Sequence, residues 1–390
     1  MPGLSAVVFV PDDTVKTGLS HPMMLQNIMG MPLLCWLASS LIAEGVGRFF
    51  LVCHERFRRE ARECIPEEAE CVCPNTDETS DQLHVFLSTA EDDEQDVTVV
   101  TGPAVLADQP APSGAAASGP ICSVSRDALM DALDDSFLFT DFLREHGAAY
   151  RGGSVCAVPD LSALCAVQPI LSRGVLCRLA RQGVQIWDFS NTYVEPTVCV
   201  GAGTAILPGT VLRGKTVVGK DCTLGPNTLL EDATIGERTK VNASQVYSSG
   251  VGSDCQLGPF AYVRPGSRIG SGVRVGDFVE IKNSVICDGT KISHLTYVGD
   301  SDVGRNCNFG CGTVTVNYDR VKKYRTTIGD NAFIGCNTNL IAPVTVGSGS
   351  YIAAGSTITD DIPEQALAIA RARQQNKKDW AARHKQKESL

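Results

Sequence analysis

The sequence offers little that would suit a membrane or a nucleic acid. No run reaches the roughly 18 uninterrupted apolar residues that span a bilayer, and the opening MPGLSAVVFVPDD has no basic segment ahead of its short apolar run. Basic residues are outnumbered, 34 against 44 acidic ones, and the resulting formal charge of −10 argues against broad binding to polyanions. Aromatics make up only 6% of the chain and histidines number six. Among the 16 cysteines there is no Cys-x-x-Cys pair, and Cys71 and Cys73 lack a second pair at zinc-ligand spacing. Without a leader, the cysteines read as reduced thiols of a cytoplasmic protein. What remains is a 390-residue chain, 43% apolar, long enough for two or three domains. Its expected partners are small molecules and further copies of itself, with no nucleic acid and no membrane.

What the sequence does have is a repeat. Aliphatic residues recur every sixth position at Val200, Ile206, Leu212, Val218 and Leu224, then from Val251 through Leu257, Val263, Ile269 and Val275 to Ile281. A five-residue step from Leu230 to Ile235 interrupts the series, which resumes through Ile328, Ile334, Leu340, Val346, Ile352 and Ile358. This makes about nine coils of about 18 residues. Six matches neither the 3.6-residue turn of an α-helix nor the simple alternation of a strand, so each unit must be one short strand plus a corner. Three units close a triangular coil, with the aliphatic anchor inward and a small residue near the corner. Thr204, Thr210, Thr216, Thr228, Thr239 and Thr290 hold that small position, as do Cys222, Cys255 and Cys307, which makes these cysteines buried fillers rather than ligands.

The pattern resembles the hexapeptide-repeat acyltransferases, which implies a left-handed β-helix, association as trimers, and active sites between neighbouring prisms. A purely structural solenoid would share the rhythm. The polar loop NYDRVKKYRTT, Asn317 to Thr327, favours an enzyme, because insertions in solenoids commonly serve a binding face. From Arg264 to Trp380 the resemblance narrows without a gap, through YVRPGS, GDFVEIKNS, SHLTYVGD, NCNFGCGTVTVNYD, KYRTTIGDNAFIG, LIAPVTVG, IAAGSTIT and ALAIARA. These motifs are similar to the bifunctional N-acetylglucosamine-1-phosphate uridyltransferase/glucosamine-1-phosphate acetyltransferases of bacterial cell-wall precursor synthesis.

Acetyl transfer to an amine needs a base, cations for an anionic sugar phosphate, and hydrogen-bond donors for developing charge. His294 is the only histidine of the repeat domain, and the resemblance makes it the base; a γ-type carbonic anhydrase would need several zinc-binding histidines. Arg264 and Lys282 lie one coil apart and suit a phosphate clamp. The resemblance adds Tyr297 and Asn308 to the sugar pocket. For acetyl-CoA it implies Cys311, Asn317, Tyr318, Lys323, Cys336, Ala354 and Arg371. Cys311 stands where the family usually has Ala, and Cys336 where it usually has Ser. The basic tail would bring Arg371 and Trp380 over the cofactor if it crosses to a neighbouring prism. No metal is expected for this step.

The N-terminal half begins as an α/β nucleotide-binding domain does, with the strand AVVFV and the helix PLLCWLASSLIAEG. The bifunctional relatives follow that strand with a Gly-x-Gly-Thr-Arg-Met loop and a later lysine that hold a nucleoside triphosphate. Here Pro22, Leu25, Gly30, Pro32 and Leu33 keep the framework. Asp12 and Thr14 stand at the glycines, however, with Val15, Lys16 and Thr17 at the next three positions and Met23 at the lysine. Pro103 follows Gly102 where a magnesium-binding Asp is expected, and no Gly-Thr-Gly-His loop occurs. Asp108 to Pro120 reads as a linker or shortened loop.

These features divide the chain into a shortened, degenerate nucleotidyltransferase-like α/β domain (1–188), an all-β left-handed parallel β-helix (191–362) and a basic tail with a short helix (363–390). The function expected is acetyl transfer from acetyl-CoA to glucosamine 1-phosphate by a homotrimer, with uridyl transfer lost. A bifunctional enzyme with a rebuilt first site and a non-catalytic scaffold are the alternatives.

Overall fold

The structure is a computed structural model that describes residues 4–75, 78–90, 95–107, 119–134 and 139–385. It resolves into two compact units, Met1–Arg178 with Val194–Pro196, and Leu179–Tyr193 with Thr197–Leu390.

In the first unit, Leu4–Val10 lies in the interior of a six-stranded sheet, between Val46–Cys53 and Asp96–Val100. Glu70–Val72 closes one edge, and Ile121–Ser125 with Ala148–Ala149 the other. The first four strands in space are parallel and the last two antiparallel to their neighbours. The strand LSAVVFV is apolar on both sides because both faces are covered: Ala6, Val8 and Val10 pack with Leu34, Leu37 and Leu41 of the helix Leu33–Ala43, while Val7 packs with Phe86 and Leu87 of the helix Thr79–Ser88. The linker stretch Asp108 to Pro120 falls outside the described residues except for its last two. A long helix, Leu161–Arg181, follows with Pro169 inside it.

The second unit is the β-helix. Three parallel sheets of 11, 10 and 9 strands, faces A, B and C, repeat in rotation along the chain until the last strand, Leu367–Ala368, which joins face A directly after a face B strand. The count exceeds nine per face on two faces because the ladder extends beyond the counted anchors, from Gln185–Ile186 to Leu367–Ala368. Ile206, Leu212, Leu224, Val263, Val275, Ile281, Ile334, Leu340 and Val346 are fully buried. Each such side chain contributes about 1.5–3 kcal/mol by leaving water.

The threonines do more than fit. Thr210 and Thr216 donate to the carbonyls of Leu207 and Arg213 at 2.7 and 2.6 Å. Thr204, Thr239 and Thr290 accept the N–H groups of Cys222, Cys255 and Cys307 in the next coil at 3.0–3.1 Å. The corner's buried backbone groups are thereby paired. Those cysteines are buried, and their thiols donate in turn to Gly236, Gly270 and Gly329 carbonyls at 3.0–3.1 Å.

Candidate active site

Strand alternation sets what the prism presents outward. On face B, Tyr262, Glu280 and Tyr297 stand in register on three successive coils. Two residues beyond Tyr262 and Glu280 come Arg264 and Lys282, which therefore point to the same side on adjacent coils. Arg264 donates to Glu280 at 2.8 Å, and its guanidinium carbon lies 5.9 Å from the Tyr262 ring centroid. Lys282 Nζ is 3.5 Å from Asp300 Oδ2.

Asp300 is buried and also accepts from Asn283 at 2.6 Å and from Asn317. Burial opposes its ionisation, but these hydrogen bonds and the Lys282 charge prevail and hold its carboxyl below the ordinary value. Asn317 Nδ2 donates to the Tyr297 hydroxyl at 3.4 Å.

The loop after Asn317 is pinned at both ends. Tyr324 N–H bonds the Asn317 carbonyl at 2.9 Å, and Arg325 Nε bonds Asp302 at 2.8 Å. The loop carries the Lys323 amine to that of Lys282. The hydrogen bond and then the positive charge of Lys282 lower the Lys323 pKa, and Arg264 adds to the effect. Three basic side chains thus meet at one outward face. Arg264 and Lys282 are each paired with a carboxylate, Glu280 and Asp300, and Lys323 adds a third basic group beside them, an excess of positive character that suits a phosphate.

His294 ends the strand Lys291–His294 of face A, at the corner leading to Tyr297–Gly299 of face B. It is exposed, and its Nδ1 lies 2.7 Å from Asp277 Oδ1. Below it, the same corner continues as a column. Gly312 N–H bonds the Leu295 carbonyl at 3.1 Å, Asn337 N–H the Cys311 carbonyl at 2.8 Å, and Gly355 N–H the Cys336 carbonyl at 2.8 Å. Cys311, Cys336 and Ala354 therefore stack coil upon coil, and the Arg371 side chain passes beneath Gly355. Gly312 and Gly355 take φ of 76° and 72° at these turns, a region in which side chains are strained.

Not every expected site residue joins this assembly. Asn308 lies on face A, in register with Lys291 and Phe333, so within one chain it is on a different face from Tyr297. The Tyr318 side chain is exposed and donates to the Arg320 carbonyl at 2.7 Å. Trp380 opens the helix Trp380–Lys385 and stacks on His384 at 3.9 Å. Within the chain Lys323 lies beside Lys282, and Asn317 beside Asp300 and Tyr297.

Three acidic residues escaped the sequence reading. Glu280 was findable, since it precedes Lys282 by two and shares its outward side. Asp277 and Asp300 lie at corners, where strand alternation gives no guide.

Known proteins bear on this geometry. The model of the bacterial transferase hexapeptide (six repeats) matches residues 248–283 and 325–360. "Bifunctional protein GlmU" of Geobacillus sp. (strain WCH70) is 49% identical over 249 residues, 62% of this chain and 54% of the relative. The protein of the same name from Brevibacillus brevis is 51% identical over 224 residues, 57% of this chain and 49% of the relative. The chain spans about half the length of the curated relatives it matches. It carries hexapeptide repeats in a parallel β-helix behind an α/β domain, and over that matched span it is GlmU-like.

Proposed function

We propose that the chain is a glucosamine-1-phosphate N-acetyltransferase, working as a homotrimer in the cytoplasm and lacking uridyl transfer. The observation that carries this reading is the convergence of Arg264, Lys282 and Lys323 on the face that adjoins the His294 corner. In this reading the three cations and Tyr297 hold the sugar phosphate, and His294 removes a proton from the amine. Acetyl-CoA supplies the activated acetyl group. Cys311, Cys336 and Ala354 would line its path, since all three are small and stacked on one corner, with Asn317, Tyr318, Arg371 and Trp380 as further contacts. Asn308, on face A, would reach the acceptor from a neighbouring prism, which is one reason to favour a trimer.

Loss of uridyl transfer is supported by the loop after the first strand. Asp12 accepts from Thr14 Oγ1 at 2.6 Å and from Arg56 at 2.8 Å, Asp13 accepts from the Met23 N–H at 3.0 Å, and Met23 is fully buried. The loop's carboxylates are thus engaged within the chain where a phosphate cradle needs free N–H groups and cations.

The test is acetyl-CoA turnover with glucosamine 1-phosphate, glucosamine 6-phosphate and UDP-linked amino sugars in parallel. Turnover with the first supports the reading, and turnover only with another acceptor corrects the substrate. None with any would favour a scaffold.

A further inference from the structure

We propose that Asp277 is a positioning residue that fixes the tautomer of His294 and leaves its Nε2 as the basic atom. This rests on the reading of His294 as the base.

The two residues are register partners on adjacent coils of face A, and each is the last residue of its strand. Each is followed by a bulky residue in the left-handed region, Phe278 at φ 54° and Leu295 at φ 43°. Such turns are unfavourable for large side chains and persist only where the surroundings hold them. Here the Leu295 N–H donates to the Asp277 carbonyl at 2.9 Å, and Thr296 Oγ1 donates to the His294 carbonyl at 2.7 Å, so the backbone on both sides of the imidazole is tied down. Gly276 contributes by absence, since a Cβ there would collide with the Ser293 carbonyl of the next coil.

The side-chain contact then decides the chemistry. Asp277 Oδ1 is 2.7 Å from Nδ1. Its carboxyl is held below the ordinary value, chiefly by that hydrogen bond. An ionised carboxylate only accepts, so Nδ1 carries the proton and donates. In the neutral ring the Nε2 lone pair is then free, which is what a general base requires, and the carboxylate stands ready to stabilise the imidazolium once the proton has moved. A histidine without such a partner would populate both tautomers, and only one of them presents a base at Nε2.

The experiment uses the full chain labelled with 15N at histidine, with D277A, D277N and H294A alongside. For the neutral imidazole, wild type should show the nitrogen shifts of a single Nδ1–H tautomer at His294. D277A and D277N should move those shifts towards the Nε2–H form and lower kcat by about ten- to a hundredfold, with KM for both substrates within about twofold. An unchanged tautomer and unchanged kcat in both variants, with H294A inactive, overturns the role of Asp277 and leaves the base intact. Full activity in H294A instead removes the base reading, and the shifts alone then decide whether Asp277 orders the ring.

Discussion

Lys282 and Asp300 face each other across adjacent coils at 3.5 Å, and the same carboxylate accepts from Asn317 at the mouth of the polar loop. One buried acid thus ties a cation of the proposed acceptor site to the loop that delivers Lys323. Because its pKa is lowered in the folded chain, Asp300 contributes stability that is present above the unfolded value, about 3.9, and lost as pH falls through the folded value. D300N should lower the Tm on the order of 5 °C near pH 7. The gap between variant and wild type should narrow below about pH 4. A gap that widens on acidification would contradict the sign. Thermal scans across pH decide it.

Arg264→Ala and Lys282→Ala should chiefly raise KM for the phosphorylated sugar. Each removes a charge-assisted contact worth about 1.5–3 kcal/mol, or about ten- to a hundredfold in affinity. Initial-rate kinetics with each substrate varied in turn will show it, and a rise confined to acetyl-CoA would reassign the clamp.

Much of the prism was legible from the sequence, because every sixth residue meets the same demand. Val263, Ile281 and Leu340 are buried for one reason repeated, and periodicity reports it. Arg264 and Lys282 were legible for the same reason, since a coil count fixes the face. Residues whose place is set by a corner or an inserted loop were not. Asp277 and Asp300 follow no alternation, and Lys323 reaches Lys282 only because Asn317 and Arg325 pin the loop ends. Asn308 shows the limit differently: it lies on face A and Tyr297 on face B, so a pocket shared by the two takes a neighbouring prism, which the periodicity of one chain does not report. In the first unit the strands after Ile121 escaped notice because Ile121–Ser125 and Ser154–Ala157 are too short for any period to stand out.

The first unit also carries a thiol pair, Cys53 and Cys73, with sulfurs 3.7 Å apart. The hydrogen bond from Cys53 pulls the Cys73 thiol down to about 7, aided by Arg58 and Arg62, while burial pushes Cys71 up to about 11. At pH 7.5 iodoacetamide should therefore label Cys73 at least tenfold faster than Cys71, and C53A should slow it. Equal labelling of the two, read by peptide mass spectrometry, would show that the pair does not activate Cys73.

With UTP, N-acetylglucosamine 1-phosphate and excess magnesium, the purified chain should release no pyrophosphate above a level about a thousandfold below that of an intact phosphate loop. Release that disappears when Asp12 and Thr14 are mutated would restore a working first site.

The most direct measurement of the central claim is kcat for acetyl transfer to glucosamine 1-phosphate in His294→Ala, paired with its melting temperature. A general base contributes about two to four orders of magnitude, and His294 is exposed at a corner, so kcat should fall by that much while the melting temperature barely moves. Near-normal turnover in a folded His294→Ala protein would contradict the account.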